Sequence, residues 1–149
     1  MKPKLTATRF VLVLLACAAL AVSLSAAEKK GDFHLIKECS QYNFLPGGFC
    51  SIQISDFALI PPGTKIYYDQ APGIPIGLLD SNVVLDAGAG NRAVGRCTVE
   101  LATFAGLCTF SDGTGQFAGF QARIVVSWPG GPTYRWDGTY SIDHDSNRK

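Results

Sequence analysis

The chain is short of charge, of histidine and of helix-compatible stretches, and each shortage closes a class of function. Only 17% of the 149 residues are Asp, Glu, Lys or Arg, and the formal net charge is +1. That balance excludes a nucleic-acid binder working through a basic surface. The two histidines, His34 and His144, stand far apart and outside any HxH or HExxH frame, and no cysteine pair has CxxC spacing. The metal-site patterns are therefore missing, and no metal is expected. Gly113-Thr114-Gly115 with Gly119 lacks GxGxxG spacing and a following helix, so it is no dinucleotide loop. No GxSxG elbow occurs either. Past residue 27, no window repeats apolar residues at helical spacing, and Gly and Pro interrupt the chain every few positions.

What is present begins with a segment for delivery. Lys2, Lys4 and Arg9 precede an apolar run of 13 residues, Phe10 to Val22, and Ser25-Ala26-Ala27 offers the small residues that signal peptidase accepts. The run is too short to span a ~30 Å hydrocarbon core. Residues 1–27 thus read as a signal peptide and 28–149 as one domain, secreted or periplasmic. Leu14-Leu15-Ala16-Cys17 offers a second reading, a lipobox with Cys17 lipidated, although the apolar run continues past it. Cleavage after Ala27 leaves 122 residues with 10 basic and 12 acidic side chains. No basic patch remains to attract nucleic acid or anionic lipid.

Four cysteines stay with the domain: Cys39, Cys50, Cys97 and Cys108. An even number in an exported chain fits two disulfides, with three pairings open. The local pairs Cys39–Cys50 and Cys97–Cys108 are favoured. If 96–101 and 104–110 form a hairpin turning at Ala102-Thr103, residue 97 faces 108. Directly opposed antiparallel residues have Cβ atoms ~4.5–5.5 Å apart, near the span of a disulfide. Each such closure contributes about 2–3 kcal/mol by loop entropy.

Short alternating stretches bounded by turn residues predict strands at 32–38, 49–59, 64–70, 79–86, 93–101, 104–110, 116–128 and 133–142. Such a set fits an all-β sandwich or a closed barrel. In 116–128, Ala118, Phe120, Ala122, Ile124, Val126 and Trp128 share one side, opposite Gln121, Arg123 and Ser127. In 133–142, Tyr134, Trp136, Tyr140 and Ile142 oppose Arg135, Asp137, Thr139 and Ser141. Trp128-Pro129-Gly130-Gly131-Pro132 joins these two strands as a hairpin.

The run CTFSDGTGQFAGFQARIVVS at 108–127, followed by YRWDGTYSI at 134–142, resembles the bacterial relatives of the allene oxide cyclase and dirigent barrels. GTKIYYDQAPGIPIG at 63–77 resembles their strand–turn–strand. The likeness covers about 80 residues, Gly63 to Ile142. It implies an eight-stranded antiparallel β-barrel around an apolar cavity that encloses a small hydrophobic or amphipathic molecule. It also implies cofactor-free cyclisation or stereo-directed coupling of that molecule, isomerase-like, with no cofactor and with dimers or trimers common among relatives. The catalytic residues of the plant cyclases do not align here. A non-catalytic carrier, and a disulfide-stapled interaction module with a packed core, are the alternatives.

Within such a barrel, Glu100 with Arg96 on the same face is the candidate acid–base pair. A carboxyl lining a dry cavity has a raised pKa and exchanges protons near neutrality. The alternative is an outward Arg–Glu pair on a solvated sheet. Arg123, beside Gln121 on one face, is a candidate anchor for a polar ligand end, or else is surface. Tyr67 and Tyr68 point to opposite faces, so one of them lines the interior. Phe120, Tyr134, Trp136 and Tyr140 are candidate cavity walls, or core packing.

Overall fold

A computed structural model describes residues 28–73 and 76–143; segment 1–27 with Cys17, and His144, lie outside the described residues. Among these, eight strands follow one another: β1 (Lys29–Glu38), β2 (Phe49–Ser55), β3 (Lys65–Tyr68), β4 (Leu78–Asp86), β5 (Arg92–Glu100), β6 (Gly106–Thr114), β7 (Phe120–Gly130) and β8 (Thr133–Ile142). Each strand pairs antiparallel with the next, and β8 returns to β1 from Lys29 opposite Ile142 to Glu38 opposite Thr133. The sheet closes into a barrel, which removes unpaired edges altogether. No helix of the described residues is long and apolar enough to cross a membrane.

Alternation decides which side chains fill the tube. Phe33 and Leu35 of β1, Val83 and Leu85 of β4, Ile124 and Val126 of β7 and Trp136 of β8 are buried, while their sequence neighbours face out. Cys97 lies opposite Cys108 across β5 and β6, as the hairpin argument requires. The bridges are Cys39–Cys50 and Cys97–Cys108, with Cα atoms 4.3 and 4.0 Å apart. Both join residues 11 apart in sequence.

Three register shifts interrupt the ladders, and those in β1–β2 and β7–β8 redirect side chains that simple alternation places. Ile36 pairs with Ile54 but Lys37 with Ile52, so Gln53 is an extra residue that reverses the facing of β2. The strand ends at Ser55 rather than continuing to 59, Ile54 points out, and Phe57 turns inward. A second break between Ser127 and Gly130 pushes Trp128 off the inward face that simple alternation assigns it. Its indole N–H donates to the Gly131 carbonyl at 2.8 Å, and its ring lies 5.0 Å from that of Phe104.

The two ends of the barrel differ. At the end carrying the β2–β3 and β6–β7 connections, Phe57 packs 5.2 Å from Phe33 and 4.3 Å from Tyr140. Phe117, in a 3-10 turn at Gly115–Phe117, sits 5.2 Å from Phe120. These rings, with Ile60, plug that half of the interior. Room for them depends on Gly138, where a Cβ would come within 2.5 Å of Phe33 Cζ and 3.0 Å of Ile124 Cγ1. Gly138→Ala is therefore expected to destabilise the fold by about 1–3 kcal/mol, as overpacking does. Chemical denaturation measures it; a variant as stable as the parent would show that the ring has space to move.

Candidate functional site

The opposite end, which carries the β1–β2, β3–β4, β5–β6 and β7–β8 connections, is open. It holds a cavity of about 330 Å³. Leu79, Val99 and Val126 form its strand walls, Tyr42, Phe44 and Phe104 come from connections, and the Cys39–Cys50 bridge borders it. Its size falls at the lower end of the range for small-molecule sites.

At its base sits a lysine. Phe33, Leu35 and Lys37 occupy successive inward positions of β1, so Lys37 is carried into the barrel by the same alternation that buries its apolar neighbours. It is 3% exposed. Its Nζ lies 4.5 Å from the centroid of Trp136, 5.2 Å from that of Tyr68 and 5.3 Å from that of Tyr134. Nζ donates a hydrogen bond of 2.5 Å to Tyr68 Oη. Ring faces attract a cation, yet they replace only part of the hydration that burial removes. Desolvation accordingly lowers the Lys37 ammonium to about 7.

The surroundings reinforce this. No Asp, Glu or His lines the cavity among the described residues. The titratable groups around Lys37 are phenols: Tyr68 and Tyr134 lie against it, and Tyr42 packs 4.9 Å from Tyr68. All three are raised chiefly by burial, and Tyr42 and Tyr68 also by their phenol neighbours. They remain neutral hydroxyls at physiological pH. The buried Tyr42 Oη and Trp136 Nε1 find no hydrogen-bond partner among the described residues. The other buried polar side chains are occupied in turns: Thr64 Oγ1 donates to Pro61 O at 2.7 Å, and Ser81 Oγ accepts from the Asp69 and Gln70 amides. Lys37 alone of the three lines the cavity. The site thus offers a neutral-to-cationic amine and phenolic donors inside an apolar cup.

Of the residues that the sequence singles out, Tyr68 and Tyr134 line this cavity, and Trp136 lies against Lys37. Phe120 and Tyr140 belong instead to the plug. Tyr67 faces out and packs on Phe49 at 5.5 Å. Arg123 is exposed on the outer face of β7. Glu100 and Arg96 are also outside, because β5 turns Cys97 and Val99 inward. Arg96 makes a two-pronged contact with Asp80 at 2.6 and 2.8 Å, while Glu100 accepts from Thr103 Oγ1 at 2.9 Å. The expectation of a cavity-lining Glu100–Arg96 pair is corrected: Arg96 is committed to another partner, and both side chains meet solvent. The Arg96 guanidinium holds the Asp80 carboxyl below its ordinary range.

Sequence pattern alone does not single out Lys37, although one signal points to it. In Asp32–Glu38 the inward parity set by Phe33 and Leu35 continues to Lys37, but Ile36 on the other parity blurs the alternation. Tyr42 and Phe104 stand in connections, where periodicity is silent.

Comparison with known proteins gives no further footing: no family model, curated protein or solved structure matches this chain.

Proposed function

We propose that the protein is an exported barrel that takes one small amphipathic molecule into its open end, apolar body against Leu79, Val99 and Val126 and an acceptor oxygen against Lys37. The observation that carries this reading is Lys37 itself. A buried amine without a carboxylate counter-ion is costly to keep, and here it borders a cavity with an unsatisfied phenol beside it. A ligand carbonyl or carboxylate would satisfy both groups. The signal-like segment 1–27 and the two disulfides support export. The closed eight-stranded barrel supports the resemblance to allene oxide cyclase and dirigent barrels, in which an enclosed substrate is folded without a cofactor. The open cavity of about 330 Å³ argues against a wholly packed structural module. Between carrier and catalyst, a group whose protonation changes near pH 7 favours chemistry on the bound molecule.

Nile red fluorescence tests occupancy. The dye is expected to brighten in the protein and to be displaced by decanoic acid. Val99→Trp, which fills the cup, should weaken binding at least tenfold, about 1.4 kcal/mol. Equal binding by a folded Val99→Trp protein would place the dye elsewhere and remove the proposal.

A further inference from the structure

We infer that Lys37 captures apolar aldehydes or ketones, condensing through Nζ to an imine inside the cup; this rests on the small-molecule reading of the same cavity. Four observations converge. The amine is primary and stands at the base of an apolar cavity open at one end of the barrel. Its one hydrogen bond goes to a phenol rather than to a carboxylate that would hold it protonated. Rings of Trp136 and Tyr134 restrict where its chain can move. A further phenol, Tyr42, lines the same cavity, and its buried hydroxyl has no hydrogen-bond partner among the described residues.

The chemistry balances without any outside reagent. The Nζ lone pair attacks the carbonyl carbon, and the carbonyl oxygen takes up a proton as the C–O π bond breaks, giving a carbinolamine. Loss of the second N–H proton and of the hydroxyl then releases one water and leaves the C=N bond. Neutral phenols suit both steps, since they donate to the oxygen as it gains charge and take protons back by relay. An apolar enclosure slows the return of water to the imine. Surface lysines lack these conditions: Lys29, Lys30 and Lys65 are exposed.

Decanal is the probe, added to the protein at pH 7 with cyanoborohydride to trap the imine as a secondary amine, followed by peptide mapping. A single adduct is expected at Lys37, formed at least tenfold faster than at Lys29, Lys30 or Lys65. Decanoic acid should slow it by competition. Lys37→Arg keeps a cation but no nucleophile of comparable reactivity, and should lose the fast adduct while remaining folded. If adducts spread over the exposed lysines and spare Lys37 while Nile red still binds, the covalent step is wrong and the binding reading stands. If neither decanal nor dye enters the cup, both are overturned.

Discussion

Lys37→Met is expected to stabilise the folded protein by about 3 kcal/mol at pH 6, an advantage that disappears as the pH rises towards 9–10. The folded-state value near 7 lies well below the ordinary lysine value of 10.5. Below pH 7 the lysine is therefore protonated in both states, and the folded protein bears the full cost of a buried ammonium, about 5 kcal/mol at 1.36 kcal/mol per unit. Between 7 and 10.5 the unfolded chain binds the extra proton, so stability climbs with pH; above 10.5 the penalty is gone. Methionine removes the ionisation and keeps most of the volume, but leaves the buried Tyr68 hydroxyl without its partner, at roughly 1–2 kcal/mol. Urea unfolding of both proteins at pH 6, 7.5 and 9 would measure the difference. The comparison stops short of pH 10 because Tyr68 is raised by burial and contributes the opposite slope there. A pH-independent difference would mean that Lys37 reaches solvent in the folded state.

Phe117→Ala is expected to cost about 3–5 kcal/mol, yet to leave Nile red binding unchanged. Phe117 is fully buried at the plugged end, and the 3-10 turn that carries it cannot collapse freely because it is held between β6 and β7. Its ring is edge-on to Phe120, which in turn faces Phe57 and Tyr140. Truncation opens a void among the packed rings of Phe120, Phe57 and Tyr140. The ligand end is separated from this cluster along the barrel axis, so the loss should register in thermal or urea unfolding and not in the affinity of the remaining folded protein. A large drop in dye affinity with little loss of stability would mean that the plug, not the open end, is where molecules enter.

Much of the architecture was legible because a half-buried strand writes its facing into the sequence at every second residue. The alternations in 120–127 and 133–142, and the placement of Cys97 opposite Cys108, reappear in the ladders of β5 to β8, whereas the expected start of the strand at 116 is a 3-10 turn that buries Phe117 in place of Ala118. Failures occur where one residue breaks the count. The extra Gln53 reverses β2, and the break after Ser127 expels Trp128; neither has a local signature that separates it from continued strand. The site was harder. Glu100 and Arg96 are candidates by residue type, since carboxylates and guanidinia are common catalytic groups, but their parity on β5 is the solvent parity, set by Cys97 and Val99. Lys37 is an ordinary strand lysine until closure of the barrel takes its water away. Its chemistry arises from Tyr68, Tyr134 and Trp136, which come from strands distant in sequence and meet only in the closed sheet.

The most direct measurement is the titration of the lysine side chains by NMR, following the Cε protons of carbon-13-labelled lysine between pH 5 and 11, with Lys37→Arg to assign the signal. One resonance, that of Lys37, should titrate near 7 and shift on addition of decanoic acid. A Lys37 resonance that titrates instead near the ordinary lysine value of 10.5 would mean that Lys37 is hydrated, and the enclosed amine on which the binding and capture chemistry depend would not exist.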